Sequence, residues 1–182
     1  QESVAILGSR HGLRTELFCP RLCFCRGLRA RAMRVDRLQP NTSRYMVCGQ
    51  RSEIPCRYRL VWRFGQGLYG DICVARDMVA AGEREECAIE KFESIFEDST
   101  AAKQTLRELR ILRHLRHENL MDVRSIFLSG TMEDFEDLYV ISEFMEADLA
   151  SILSCEQALS HDQVRHFLYQ TLRGMKYVHS AA

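Results

Sequence analysis

RYRLVWRFGQGLYGDICVAR, Arg57–Arg76, is the stretch that decides how this chain folds. Tyr58, Leu60, Trp62 and Phe64 alternate with Arg57, Arg59 and Arg63, the period of two expected of a half-buried strand. Gly65, Gly67 and Gly70 interrupt the alternation, and β-branched and small residues then resume it in DICVAR. Three positions without a Cβ let the connection fold tightly and bring backbone N–H groups against an anion such as a phosphate. A dinucleotide site has a similar glycine spacing, but there the last glycine opens a helix. Here it opens a strand, so the reading is strand, glycine loop, strand.

Working outward, ECAIEKF (Glu86–Phe92) reads as a third strand after the polar turn AAGEREE. An amphipathic helix is expected from about Ser99 to His114, with Leu106, Leu109 and Leu112 on one side. DLYVISEFM is a mostly apolar strand, and EADLASIL a short helix. The last helix is the clearest. Ser160 and Gln163 form a capping box, and Val164, Phe167, Leu168, Thr171, Leu172, Met175 and Val178 recur at helical spacing. These elements add up to an α+β fold, an antiparallel sheet with one helix joined to a helical part.

The 182 residues, 46% hydrophobic and 27% charged, suffice for one globular domain with a real core. Twenty-five basic residues balance twenty-five acidic ones, so overall charge gives no reason to expect nucleic acid as the main partner. The balance is uneven. Residues 1–44 hold nine arginines against three acids, show no sustained period and end in QPNTSR. They read as a poorly ordered, solvated segment, and the same composition leaves open a nucleic-acid-binding arm or part of a targeting segment. No apolar run approaches a membrane span, and SVAILG is too short for a signal-peptide core. A soluble protein of the cytoplasm or nucleus is therefore expected.

Eight cysteines lack the paired C-x-x-C spacing of a zinc site. Cys19, Cys23 and Cys25 in CPRLCFC form the only cluster, and reduced thiols are expected. His114 and His117 in RHLRHEN read as cap and turn contacts rather than metal ligands, and the acids of MEDFED (132–137) as a solvated hairpin tip.

The chain from about residue 45 to 182 resembles the protein kinase family and, within it, the MAP kinases. YMVCGQRSEIPCRYRL is similar to the lead-in of that group and GQGLYGDI to its glycine-rich loop. HENLMDV, DLYVISEFMEADL and FLYQTLRGMKYVHSA are similar to its later blocks, and Phe96, followed by ten residues and then Arg107-Glu108, fits the first half of a MAP kinase signature. The resemblance implies an ATP-binding lobe over 57–145 and the start of a helical lobe over 146–182, truncated before the catalytic loop. It implies phosphoryl transfer from Mg-ATP to protein hydroxyls in the complete protein, with protein substrates and an upstream activating kinase as partners.

By position, the resemblance places Gly65, Gln66, Gly67, Leu68, Tyr69 and Gly70 over the phosphates, and Phe64, Ile72 and Ala88 against adenine. The backbone of Glu143 and Met145 would bond the base edge, Asp148 would face the ribose and Ser142 would guard the back of the pocket. Glu108 would ion-pair with the strand lysine. That lysine is the departure, because Glu90 occupies its place in the family's V-A-I-K pattern. Glu90 lies two residues after Ala88 and shares its face, whereas Lys91 points the other way unless a bulge rotates the strand. A carboxylate there weakens ATP binding and favours a pseudokinase-type binding or scaffold module as the alternative function. One base change separates lysine and glutamate codons.

The H-R-D-x-x-x-x-N and D-F-G motifs that supply a kinase's catalytic base and magnesium ligands do not occur in the 182 residues, so no catalytic or metal residue is expected within them. Starting at Gln1 and stopping at Ala182, the sequence reads as a piece of a longer protein, inactive by itself.

Overall fold

The computed structural model describes residues 33–39, 41–67, 70–81, 85–131, 133, 135–154 and 159–181. CPRLCFC and most of the Arg-rich segment therefore lie outside the described residues. The described chain divides into two units, 33–107 with 123–144, and 108–122 with 145–181.

The first unit holds two antiparallel sheets. The smaller has the order β1-β2-β3, formed by Met33–Gln39, Thr42–Val47 and Gln50–Pro55. Order thus begins well before Arg57, where the first sustained alternation is visible in the sequence. Thr42–Val47 and Gln50–Pro55 are joined by Cys48 and Gly49, both at positive φ (48° and 84°). That is the two-residue turn whose twist matches a hairpin.

The larger sheet has the order β4-β5-β6-β8-β7, with β4 Tyr58–Gln66, β5 Asp71–Asp77, β6 Glu86–Phe92, β7 Val123–Leu128 and β8 Leu138–Glu143. β4, β5 and β6 form a meander with the glycine loop at its first turn. The chain then runs through α1 (Ser99–His114) to edge strand β7 and returns as β8 beside β6. Register passes through β6 without a shift on either side, from Ile72↔Glu90 to Arg76↔Glu86 and from Cys87↔Glu143 to Phe92↔Leu138.

Because directly paired residues share a face, this register sorts the sheet. Cys73, Ala75, Cys87, Ile89, Tyr139 and Ile141 lie on one face and form the core with Tyr58 and Leu60 and with Tyr45, Val47 and Ile54 of the small sheet. Phe127 stacks on Tyr139 at 4.6 Å with rings 5° from parallel. The Tyr139 hydroxyl accepts a 3.2 Å bond from the Glu53 N–H, tying the sheets together. The opposite face carries Ile72, Val74, Ala88, Glu90, Val140 and Ser142.

In the second unit, α2 (Leu149–Leu153) is capped by Asp148, whose carboxylate accepts from the Ser151 N–H at 2.6 Å. α3 (His161–Ser180) carries the complete capping box: Ser160 Oγ accepts from Gln163 N–H at 3.2 Å and Gln163 Oε1 from Ser160 N–H at 2.9 Å. His117 stacks on Tyr177 at 4.9 Å. Its Nδ1 accepts from Asn119 N–H, and His114 Nδ1 bonds the Arg110 carbonyl, so both rings serve turn and helix-end contacts. No helix among the described residues is long and apolar enough to cross a membrane.

Candidate functional site

The glycine loop connects β4 to β5 across Gly65↔Ile72 and Gln66↔Asp71. The N–H of Gly67 donates to the carbonyl of Gly70 at 2.7 Å and closes the turn. Leu68 and Tyr69 lie outside the described residues. The glycines differ in what they tolerate. A Cβ on Gly65 would meet open space, whereas one on Gly67 would overlap Oε1 of Glu90 and one on Gly70 would strike the backbone carbonyl of Lys91. None of these three has a positive φ, so Gly67 and Gly70 are needed for close approach to β6 rather than for backbone freedom.

Below the loop, Ile72, Ala88, Glu90 and Ser142 share one face. Ala88 and Ser142 are buried, directly paired and small, which leaves a shallow uncharged wall beside the Glu90 carboxylate. Phe64, largely exposed, meets Phe144 edge-on at 5.3 Å, and Trp62 meets the same ring at 6.4 Å. Glu143 ends β8 opposite Cys87. Met145 and Asp148 belong to the second unit, where the carboxylate of Asp148 is engaged as the α2 cap, a bond that holds its pKa below the usual aspartate value. Glu108 lies exposed on α1.

Lys91 is elsewhere. Its ammonium lies 2.9 Å from Asp137 and 3.2 Å from Glu93, and it donates to the Arg51 carbonyl of the small sheet at 3.2 Å. Burial pulls its pKa down, but the hydrogen bond it donates to Asp137 and the charges around it outweigh that and raise it above the ordinary lysine value. Register through β6 is even on both sides, with no bulge that would turn Lys91 toward the loop. Asp137, expected in a solvated acidic tip, is half-buried and also accepts from Ser94 N–H.

Several members of this arrangement were missed. Phe144 could have been noticed as an aromatic just past an apolar strand. The Arg63–Asp71 pair at the base of the loop, with Nε and Nη2 2.8 and 2.6 Å from one carboxylate oxygen, carries no signal in spacing alone. A separate cavity of about 530 Å³ in the second unit, lined by His117, Tyr169, Leu172, Arg173, Lys176, Tyr177 and Ser180, includes none of the expected nucleotide-binding residues. Among the described residues no cluster of His, Cys, Asp and Glu could hold a metal ion.

A glycine loop between antiparallel strands, folded over a strand beside a small-residue wall, is a frame for a nucleotide. Comparison with known proteins agrees: residues 58–182 match the protein kinase domain. The chain belongs to the protein kinase family. Within it the similarity is to mitogen-activated protein kinases. The chain is 42% identical over 137 residues to extracellular signal-regulated kinase 1 of Dictyostelium discoideum, covering 75% of this chain and 25% of that protein. It is 42% identical over 139 residues to mitogen-activated protein kinase 4a of Physcomitrium patens (76% and 36%) and over 138 to mitogen-activated protein kinase 5 of Arabidopsis thaliana (75% and 36%). It thus spans a quarter to a little over a third of the length of these relatives.

Proposed function

We propose that this chain is the nucleotide-binding portion of a MAP-kinase-like serine/threonine protein kinase, which in the whole protein transfers a phosphoryl group from Mg-ATP to protein hydroxyls. The observation that carries this reading is the glycine loop folded over β6 beside the paired Ala88 and Ser142. That wall is small and uncharged enough to receive a flat base, with Ile72 at its edge. The phosphate end fits poorly. A carboxylate stands where a cation would neutralise phosphate oxygens, and no magnesium-ligand motif occurs in the 182 residues. Protein substrates, an upstream activating kinase and a cytoplasmic or nuclear location belong to the same proposal.

The position of Glu90 favours a second reading, a pseudokinase-type module that binds or scaffolds other proteins. Phosphate transfer from radiolabelled ATP to serine/threonine peptides, by the full-length protein and its Glu90→Lys variant, separates the two. Transfer that appears or rises at least tenfold in the variant supports a kinase attenuated at this residue. No transfer by either protein leaves the scaffold reading.

A further inference from the structure

The cavity of about 530 Å³ in the second unit has a wall of definite chemistry. Tyr169, Arg173, Lys176, Tyr177 and Ser180 follow helical spacing, so one face of α3 forms one side of it. His117, in the turn that follows α1, lines the other. Among the described residues the lining holds two cations and no carboxylate. Glu118 is the only acid of that turn and is ion-paired with Arg173 through Nη1. Asp162, the only acid of α3, is held by Arg165 at the far end of the helix. Lys176 is exposed and has no ion-pair partner among the described residues. With Glu118 offsetting Arg173, the charge left at the cavity is the positive one of Lys176.

The hydrogen bonds already made fix where the remaining protons point. His117 Nδ1 accepts from the Asn119 N–H at 3.0 Å, so the neutral ring carries its proton on Nε2. The Tyr177 hydroxyl oxygen accepts from the Arg116 N–H at 3.2 Å, which leaves its own proton to donate. Flat apolar surface lies beside these donors. His117 and Tyr177 stack at 4.9 Å, and the Tyr169 ring, with the Arg173 guanidinium 5.7 Å from its centroid, adds a further face next to Leu172.

We infer that this cavity binds an organic anion, a phosphate or carboxylate carried on a flat ring. The charged end meets Lys176 and Arg173 and accepts from His117 Nε2–H and the Tyr177 hydroxyl, which are hydrogen bonds strengthened by the ligand's charge. The ring lies against Tyr169 and Leu172. The volume is that of a small-molecule site. None of these residues belongs to the glycine loop or its strands, so the inference stands or falls apart from the nucleotide reading.

The test is titration of the full-length protein with phenyl phosphate and with inorganic phosphate, followed by phosphorus NMR line broadening, for wild type, Lys176→Glu and Tyr169→Ala. Both substituted side chains are exposed, so both variants should fold. Wild type is expected to bind phenyl phosphate about tenfold more tightly than inorganic phosphate. Lys176→Glu should weaken both ligands by about tenfold, and Tyr169→Ala should weaken phenyl phosphate alone. Absence of phenyl phosphate binding, an affinity that neither variant changes, or equal affinity for the two phosphates overturns the inference.

Discussion

The ammonium of Lys91 lies 2.9 Å from Oδ2 of Asp137, on the face of β6 opposite the neighbouring Glu90. With Glu93 and the Arg51 carbonyl as further partners, this lysine fastens the small sheet to the large one. It is only 12% exposed, so its removal leaves two carboxylates facing each other in a poorly solvated place. Lys91→Met should lower stability by about 1–3 kcal/mol, read as a lower urea midpoint. Nucleotide affinity should not change. An unaltered midpoint with lost nucleotide binding would show that Lys91 serves the loop instead.

Arg57 and Asp77 make a second fastening, two parallel 2.8 Å bonds across the first strand pair, with Val79 N–H also donating to the carboxylate. The Arg57 bond outweighs burial and holds Asp77 below its ordinary value of 3.8. A carboxylate depressed in the folded state stabilises fully above its unfolded value, and the stabilisation is lost as pH falls through the folded value. Asp77→Asn should therefore reduce stability at pH 7 by about 1 kcal/mol, a modest figure because Arg57 is half-exposed and screened. The difference from wild type should shrink as pH drops below about 3.8, in thermal melts at fixed ionic strength. A difference that stays constant across that range would mean the pair is silent.

How much of this was legible follows from where the sequence alternates. Tyr58–Gln66, Asp71–Asp77 and Glu86–Phe92 announced themselves because apolar residues fill one face, and the capping box at Ser160 marked α3 to the residue. Thr42–Val47 and Gln50–Pro55 did not, because their inward positions include Ser43 and Ser52, each buried, and a polar residue facing the core hides the period. The face of Glu90 could be read from Ala88 by counting two, since alternation is a property of any unbroken strand. The partners of Lys91 could not. Glu93 aside, they come from the small sheet and from Asp137, 46 residues further along, and only register brings them together.

Thiol chemistry offers an independent check on the sheet. Burial pushes the Cys73 thiol up to about 12 and the Cys87 thiol up to about 11, and Cys87 Sγ donates to the Ala75 carbonyl. Cys48 is exposed at the hairpin tip. Since the thiolate is the reacting form, iodoacetamide at pH 8 should label Cys48 within minutes and leave Cys73 and Cys87 unlabelled until denaturant is added. Peptide mass spectrometry reads each site separately. Labelling of Cys87 as fast as Cys48 in native buffer would mean that the β5–β6 pairing opens readily.

The glycines of the loop should separate two kinds of close approach. At Gly67 a new Cβ meets the end of a flexible side chain, Glu90, which can swing aside. At Gly70 it meets the Lys91 carbonyl, backbone that can yield only by moving a strand. Gly70→Ala is therefore expected to cost about 1–3 kcal/mol and Gly67→Ala less than about 1 kcal/mol, from chemical denaturation. The pair Gly67 and Glu90 should also be coupled. In a Glu90→Ala background the added methyl no longer meets the carboxylate and only Ile72 Cδ1, 3.0 Å away, remains against it, so the cost of Gly67→Ala should shrink, whereas that of Gly70→Ala should persist. A double-mutant cycle with no coupling between positions 67 and 90 would place the carboxylate away from the loop.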